Sequence, residues 1–157
     1  ADSGGTAVDA SVAFSILGVG MIFGGPGLTT LAQRLGVRRI LSVAFGLWPV
    51  FTVILLSGIT LPVWLACVGI GFLFSSLPSL ITLYVVENTT TKDYGASYAA
   101  ATLVFGIAQT ISPPVGGWIA DTAGSFTLVF LLSAAISVGG LVATLRLPGK
   151  GGLLKVK

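Results

Sequence analysis

The placement of charge leaves this chain little choice of fold. No Asp, Glu, Lys or Arg falls between Asp9 and Arg34, and the stretches 40–86, 94–120 and 122–145 are equally free of charge. Crossing a hydrocarbon core of about 30 Å takes roughly 20 apolar residues of helix. On that measure 10–33, 94–120 and 122–145 supply one span each, while 40–86 is long enough for two. The run Ser57-Gly58-Ile59-Thr60-Leu61-Pro62 offers the turn between them, since Gly and Pro punctuate helices. The expectation is an all-α integral membrane domain over 1–147, with spans at 10–33, 40–57, 61–86, 94–120 and 122–145 and a basic tail at 148–157.

Composition excludes the main alternatives. Only 8% of the residues are charged, against roughly a quarter in soluble domains, too few to solvate a globular surface. A β-barrel needs strands of about 10 residues that alternate apolar and polar, and these stretches are longer and do not alternate. The 22 Gly and 7 Pro are tolerated in membrane spans, where neighbouring helices compensate. The single cysteine, Cys67, falls within a span, where it serves as filler, and there is no histidine to act as a base or metal ligand. No cofactor is expected. The N-terminal segment has Asp2 and Asp9 but no basic residue, so it lacks the charge of a signal peptide, and a chain that opens on Ala1 reads as part of something longer.

Numbering the spans I to V, the loops must alternate between faces. One face receives Arg34, Arg38 and Arg39, then Lys92, then Arg146, Lys150, Lys155 and Lys157, which together are all 8 basic residues. The other face receives Asp2, Asp9 and Asp121 as its only charges. By the positive-inside rule the basic face is cytoplasmic and the N-terminus lies outside. The basic residues therefore report topology, and nucleic acid is not an expected partner.

The chain also matches itself at an offset of 88, pairing Ala13 with Ala101, Gly18 with Gly106, Pro26 with Pro114, Ala32 with Ala120 and Gly36 with Gly124. Because the two matching loops fall on opposite faces, the pair I–II would be related to the pair IV–V by an inverted repeat, an arrangement common in secondary transporters. Span III then opens a three-helix unit III-IV-V, and the other unit lacks its opening helix.

The run Thr29-Thr30-Leu31-Ala32-Gln33-Arg34-Leu35-Gly36-Val37-Arg38-Arg39 resembles the loop signature of major facilitator superfamily transporters, Gly-x-Leu-Ala-Asp-Arg-x-Gly-Arg-Arg/Lys-Arg/Lys. Thr29, Gln33 and Val37 depart from its Gly, Asp and first basic position. Tyr94 to Gly106, followed by Pro113-Pro114-Val115-Gly116-Gly117-Trp118-Ile119-Ala120-Asp121, is similar to helix eleven of the YbfB/YjiJ-like branch. The resemblance implies that spans I to V are helices eight to twelve of a twelve-helix carrier. Helix seven and the N-terminal half would then be partners supplied from elsewhere in the same transporter. It implies alternating-access transport of a small-molecule substrate, commonly with protons, in the plasma membrane, which in a bacterium is the inner membrane. Of the motif, Arg34, Gly36, Arg38 and Arg39 carry over. In the family its Asp and Arg latch helices at the cytoplasmic gate, but Gln33 cannot form that ion pair. The arginines equally suit plain topology determinants and contacts to lipid headgroups.

Span IV carries Tyr98, Thr102, Gln109 and Ser112 near multiples of a helical turn, hence on one face. A free Gln109 amide at mid-membrane would cost several kcal/mol, so it is expected to face protein or a watery cavity, either as a substrate contact or as an interhelical hydrogen bond. Span III offers Ser75, Ser79 and Thr82, and span I offers Ser11 and Ser15, hydroxyls that can also satisfy their own helix backbone. The run Gly18 to Gly27 lacks the strand and acidic residue of a nucleotide fingerprint and reads as a surface for close helix contact, with Pro26 and Pro113-Pro114 as kinks. No charge lies inside a span, so any proton-binding group would sit in the absent part or at a span end such as Glu87 or Asp121. A carrier is the leading reading and a small scaffold that packs through Gly-rich faces is the alternative; the short loops leave no room for an enzyme's site.

Overall fold

Three of the four breaks between the helices hold a glycine in the left-handed region of backbone space, and the fourth runs through extended Thr89 and Thr90. Gly36 (φ 96°), Gly58 (φ 69°) and Gly124 (φ 68°) adopt angles that a Cβ disfavours, and each lies where one helix ends or the next begins. The computed structural model describes residues 7–149. Its elements are α1 (Ala7–Leu35), α2 (Val37–Leu56), α3 (Thr60–Asn88), α4 (Thr91–Ala123) and α5 (Thr127–Arg146). All 5 are long and apolar enough to cross a membrane. Large apolar side chains stay on the outside, Phe14 at 78% and Trp118 at 67% exposure, as lipid-facing residues do. Asp2, Lys150, Lys155 and Lys157, and most of the expected tail, lie outside the described residues.

The helices overrun the expected spans, and two boundaries differ in kind. Between α1 and α2 there is no loop: Arg34 lies in the last turn of α1, Gly36 alone breaks the helix, and Arg38 and Arg39 lie in the first turn of α2. A single glycine at positive φ redirects the chain without spacer residues, so the expected loop motif is a helix-break motif. At the far end α4 runs through Asp121 to Ala123, and α5 starts at Thr127 instead of 122. Asp121 therefore sits in the last helical turn, and Gly124 caps it. The glycines paired by the offset of 88, Gly36 and Gly124, both have positive φ and follow α1 and α4 respectively.

Packing is uneven. The core joins Ala32 of α1 to Val37, Ile40, Leu41 and Ala44 of α2 and to Leu73, Leu80 and Tyr84 of α3. Helix α1 lies along α3, α3 touches α2, and α2 is flanked by α5. Polar bridges hold these contacts: the Trp48 indole N–H donates to Ser133 Oγ at 3.1 Å, and the Ser137 hydroxyl donates to the Phe45 carbonyl at 2.9 Å. Buried Thr52, Ser76 and Thr144 instead donate to the carbonyl four residues back in their own helices, which satisfies hydroxyls where water cannot reach.

Candidate functional site

Helix α4 begins with a side-chain cap. The Thr90 hydroxyl oxygen accepts from the Asp93 N–H at 3.3 Å and donates to the Asp93 carboxylate at 2.8 Å, which fixes the entry into the helix. From there α4 stands apart. It meets α3 near its start and α5 near its end, where Ala120 is buried and Gly116 faces Val129. Every residue from Thr102 to Val115 is exposed.

The exposed stretch carries the polar stripe. Tyr98 stacks on Tyr94 one turn earlier, with ring centroids 5.7 Å apart. Thr102 and Ser112 donate to the carbonyls of Tyr98 and Ala108. Gln109 is exposed between them, and its amide finds no hydrogen-bond partner among the described residues. An open groove of about 840 Å³ runs beside this stripe, lined by Tyr98, Ala99, Thr102, Leu103, Gly106 and Thr110. Tyr98 and Thr102 belong to both surfaces, whereas Gln109 and Ser112 lie outside the groove lining.

Ser75 and Ser79 sit on α3, away from that stripe. The Ser75 hydroxyl accepts from the Gly25 N–H at 3.1 Å and donates to the Met21 carbonyl at 2.8 Å, both on α1. Ser79 donates to the Ser75 carbonyl within its own helix. Here α1 and α3 touch backbone to backbone: a Cβ on Gly20 would meet the Val68 carbonyl, one on Gly24 the Phe72 carbonyl, and one on Gly71 the Leu17 carbonyl. The spacing Gly20-x-x-x-Gly24 is the sequence signal for such an approach. The expectation of close contact along Gly18 to Gly27 thus holds at Gly20, Gly24 and Gly27, while Gly18 faces open space.

The basic motif assembles at one end of the bundle. Arg38 donates to the Leu145 carbonyl at 2.5 Å, and the Tyr84 hydroxyl donates to the Pro148 carbonyl at 3.0 Å. The N-terminus of α2 and the C-termini of α3 and α5 therefore meet there, enclosing a recess of about 680 Å³ beside Arg38, Arg39, Ser42, Tyr84 and Glu87. A guanidinium on a terminal carbonyl satisfies an orphan acceptor and opposes the negative end of the helix dipole, so Arg38 works as a cap for α5. Arg34, Gly36 and Arg39 are exposed around it. Nearby, Asn88 is buried, donates to the Tyr84 carbonyl and leaves its Oδ1 without a partner. Sequence reasoning passed over Asn88 and Tyr84 because nothing in their spacing separates them from an ordinary helix end.

The family model described as Major Facilitator Superfamily matches residues 1–154. Monocarboxylate transporter 12 from Rattus norvegicus and its counterpart from Mus musculus are each 29% identical to the chain over 62 residues, which is 40% of this chain. The matched segment spans 13% of each relative's length. No solved structure shows a significant match. With five helices long and apolar enough to cross a membrane and a family match across nearly its whole length, the chain belongs to the Major Facilitator Superfamily.

Proposed function

We propose that this chain is the C-terminal portion of a secondary transporter, helices eight to twelve, and that α4 lines the path of a small solute carried by alternating access. The observation that carries this reading is the exposure of α4 from 102 to 115, with Gln109 at its middle. An unpaired amide in hydrocarbon costs several kcal/mol, so this face requires protein or water beside it in the membrane. The inverted repeat says what one of the neighbours is. If α1 and α2 correspond to α4 and α5, then α3, which lies along α1, corresponds to a helix that lies along α4 and precedes α1 in the chain. That is helix seven, and the groove at Ala99 and Gly106 is where it packs. The Gln109 and Tyr98 edge remains for solute, opposite the N-terminal half.

The basic end of the bundle faces the cytoplasm, and the location is the plasma membrane, the inner membrane if the source is a bacterium. The similarity of Tyr94 to Asp121 to helix eleven supports the YbfB/YjiJ-like branch. The name of the relatives offers a monocarboxylate as a solute class. With no Arg or Lys between Tyr94 and Ala120, such a carboxylate would take a hydrogen bond from Gln109 and its counter-charge from other helices. Protons, if coupled, would bind at groups outside these spans.

The test is Gln109→Ala in the full-length protein, reconstituted in liposomes and assayed with a panel of monocarboxylates and neutral solutes. A raised apparent KM with normal expression and an unchanged maximal rate is expected. Unaltered transport kinetics would refute the role of this face, and lost expression with normal affinity would make Gln109 a packing residue. The 157-residue chain alone is expected to give no flux.

A further inference from the structure

We infer that the recess at the basic end of the bundle holds the headgroup of an anionic phospholipid, with Arg39 on its phosphate and an acyl chain along the adjoining face of α2. The recess measures about 680 Å³ and lies where the start of α2 meets the ends of α3 and α5. Arg38 and Arg39 set two guanidiniums in its lining against the carboxylate of Glu87, which leaves one net positive charge among the described lining residues. The two arginines are placed differently. Arg38 is half-buried and donates to the Leu145 carbonyl, so it holds the wall between α2 and α5. Arg39 is exposed and makes no hydrogen bond or ion pair among the described residues. Its guanidinium is a planar fork of N–H donors that matches the oxygens of a phosphate. The hydroxyls in the lining already donate elsewhere, Ser42 to the Arg38 carbonyl and Tyr84 to the Pro148 carbonyl. Phosphate recognition therefore falls to Arg39, with the charge of Arg38 behind it.

The surface beyond the recess separates a lipid from a soluble anion. Counting along α2 from Arg39, the exposed residues on the same face are Val43, Leu47 and Val50, at steps of four, four and three. Val43 also lines the recess, as does Leu145 of α5, and both are about half exposed, at 52% and 54%. The cationic recess thus passes directly into an aliphatic ridge that runs toward the middle of the span. Charge at the helix end followed by an aliphatic strip matches the two parts of a phospholipid, and a soluble anion has no use for the second. Basic pockets between membrane helices take anionic headgroups in this way. An anionic lipid also balances the net charge of the lining, whereas a zwitterionic one brings its own cation and leaves that charge uncompensated. The site requires only that these helices cross a bilayer, and it stands whether or not α4 lines a solute path.

Native mass spectrometry of the full-length protein in detergent, titrated with phosphatidylglycerol, phosphatidylethanolamine or inorganic phosphate, tests the site without reference to transport. Phosphatidylglycerol is expected to bind more tightly than phosphatidylethanolamine. Arg39→Gln is expected to weaken phosphatidylglycerol binding by about fivefold, the contribution of one basic residue beside anionic lipid. Glu87→Gln removes the opposing carboxylate and is expected to strengthen binding by a similar factor, a gain that a folding defect cannot imitate. Arg34→Gln alters an exposed arginine outside the recess lining and is expected to leave binding unchanged. Unchanged binding in Arg39→Gln, or equal losses in Arg34→Gln and Arg39→Gln, would overturn the site and leave only diffuse surface charge. Phosphatidylethanolamine bound as tightly as phosphatidylglycerol would overturn the anionic lipid, and displacement of the lipid by an equal concentration of inorganic phosphate would overturn it in favour of a soluble anion.

Discussion

The close crossing of α1 and α3 makes Gly24→Ala the sharpest test of this architecture. A methyl group on Gly24 would point at the Phe72 carbonyl, its Cβ 2.8 Å from the carbonyl carbon and nearer still to the oxygen. Carbon atoms settle at about 3.5–4.0 Å, so the helices must part locally by roughly 0.7 Å or more. A gap of that size forfeits a quarter to a half of the dispersion along the contact, and overpacking of this kind costs about 1–3 kcal/mol. Parting the helices also stretches the Ser75 bonds to Gly25 and Met21, now 3.1 and 2.8 Å, at about 0.6 kcal/mol each for polar contacts between membrane helices. The expected destabilisation is about 2–4 kcal/mol. For a domain of this size that lowers the midpoint of thermal unfolding by roughly 4–16 °C. The control is Gly18→Ala, which sits in the same helix with nothing within 4 Å of its added Cβ. It is expected to be neutral or to gain up to about 1 kcal/mol from better helix propensity. Thermal unfolding in detergent, followed by fluorescence-detected size exclusion, compares the two. Equal midpoints for the two variants would refute the backbone contact between α1 and α3.

Two further outcomes follow from the α2–α5 side. Trp48→Phe and Ser133→Ala should each destabilise by about 0.6 kcal/mol through loss of the indole bond, and a double-mutant cycle should show coupling of the same size; additive effects would mean the bond contributes nothing. Arg38→Ala should cost about 1 kcal/mol and loosen the C-terminal turn of α5, seen as faster hydrogen exchange at 140–147, whereas no change there would remove Arg38 as the cap of that helix.

The relation between motif and geometry is clearest at Arg38. Sequence similarity carried it over as part of a loop motif, with a topology determinant or a contact to lipid headgroups as the plainer reading. The side chain instead reaches a carbonyl of α5, more than a hundred positions away in the chain. A helix terminus displays acceptors regardless of which residues compose it, so no spacing rule reveals such a partner. Ser75 teaches the same point. Its hydroxyl was legible as polar within an apolar span, but whether it turned toward solute, its own backbone or another helix depended on the crossing of α1 over α3.

What the sequence determined by itself is the class of protein and the number of helices. Charge cannot enter hydrocarbon cheaply, so charge-free runs count the spans, and Gly58 in the run Ser57 to Pro62 marks the turn inside the longest of them. The family was legible as a resemblance of Thr29 to Arg39 to a known motif. What only the tertiary structure decided is which faces meet. In lipid, apolar surface gains nothing by choosing one neighbour over another, so packing is settled by close backbone approach and a few polar bridges, which hydropathy does not encode. That is why Gly20, Gly24 and Gly71 joined α1 to α3, and why the middle of α4 was left exposed with Gln109 on it.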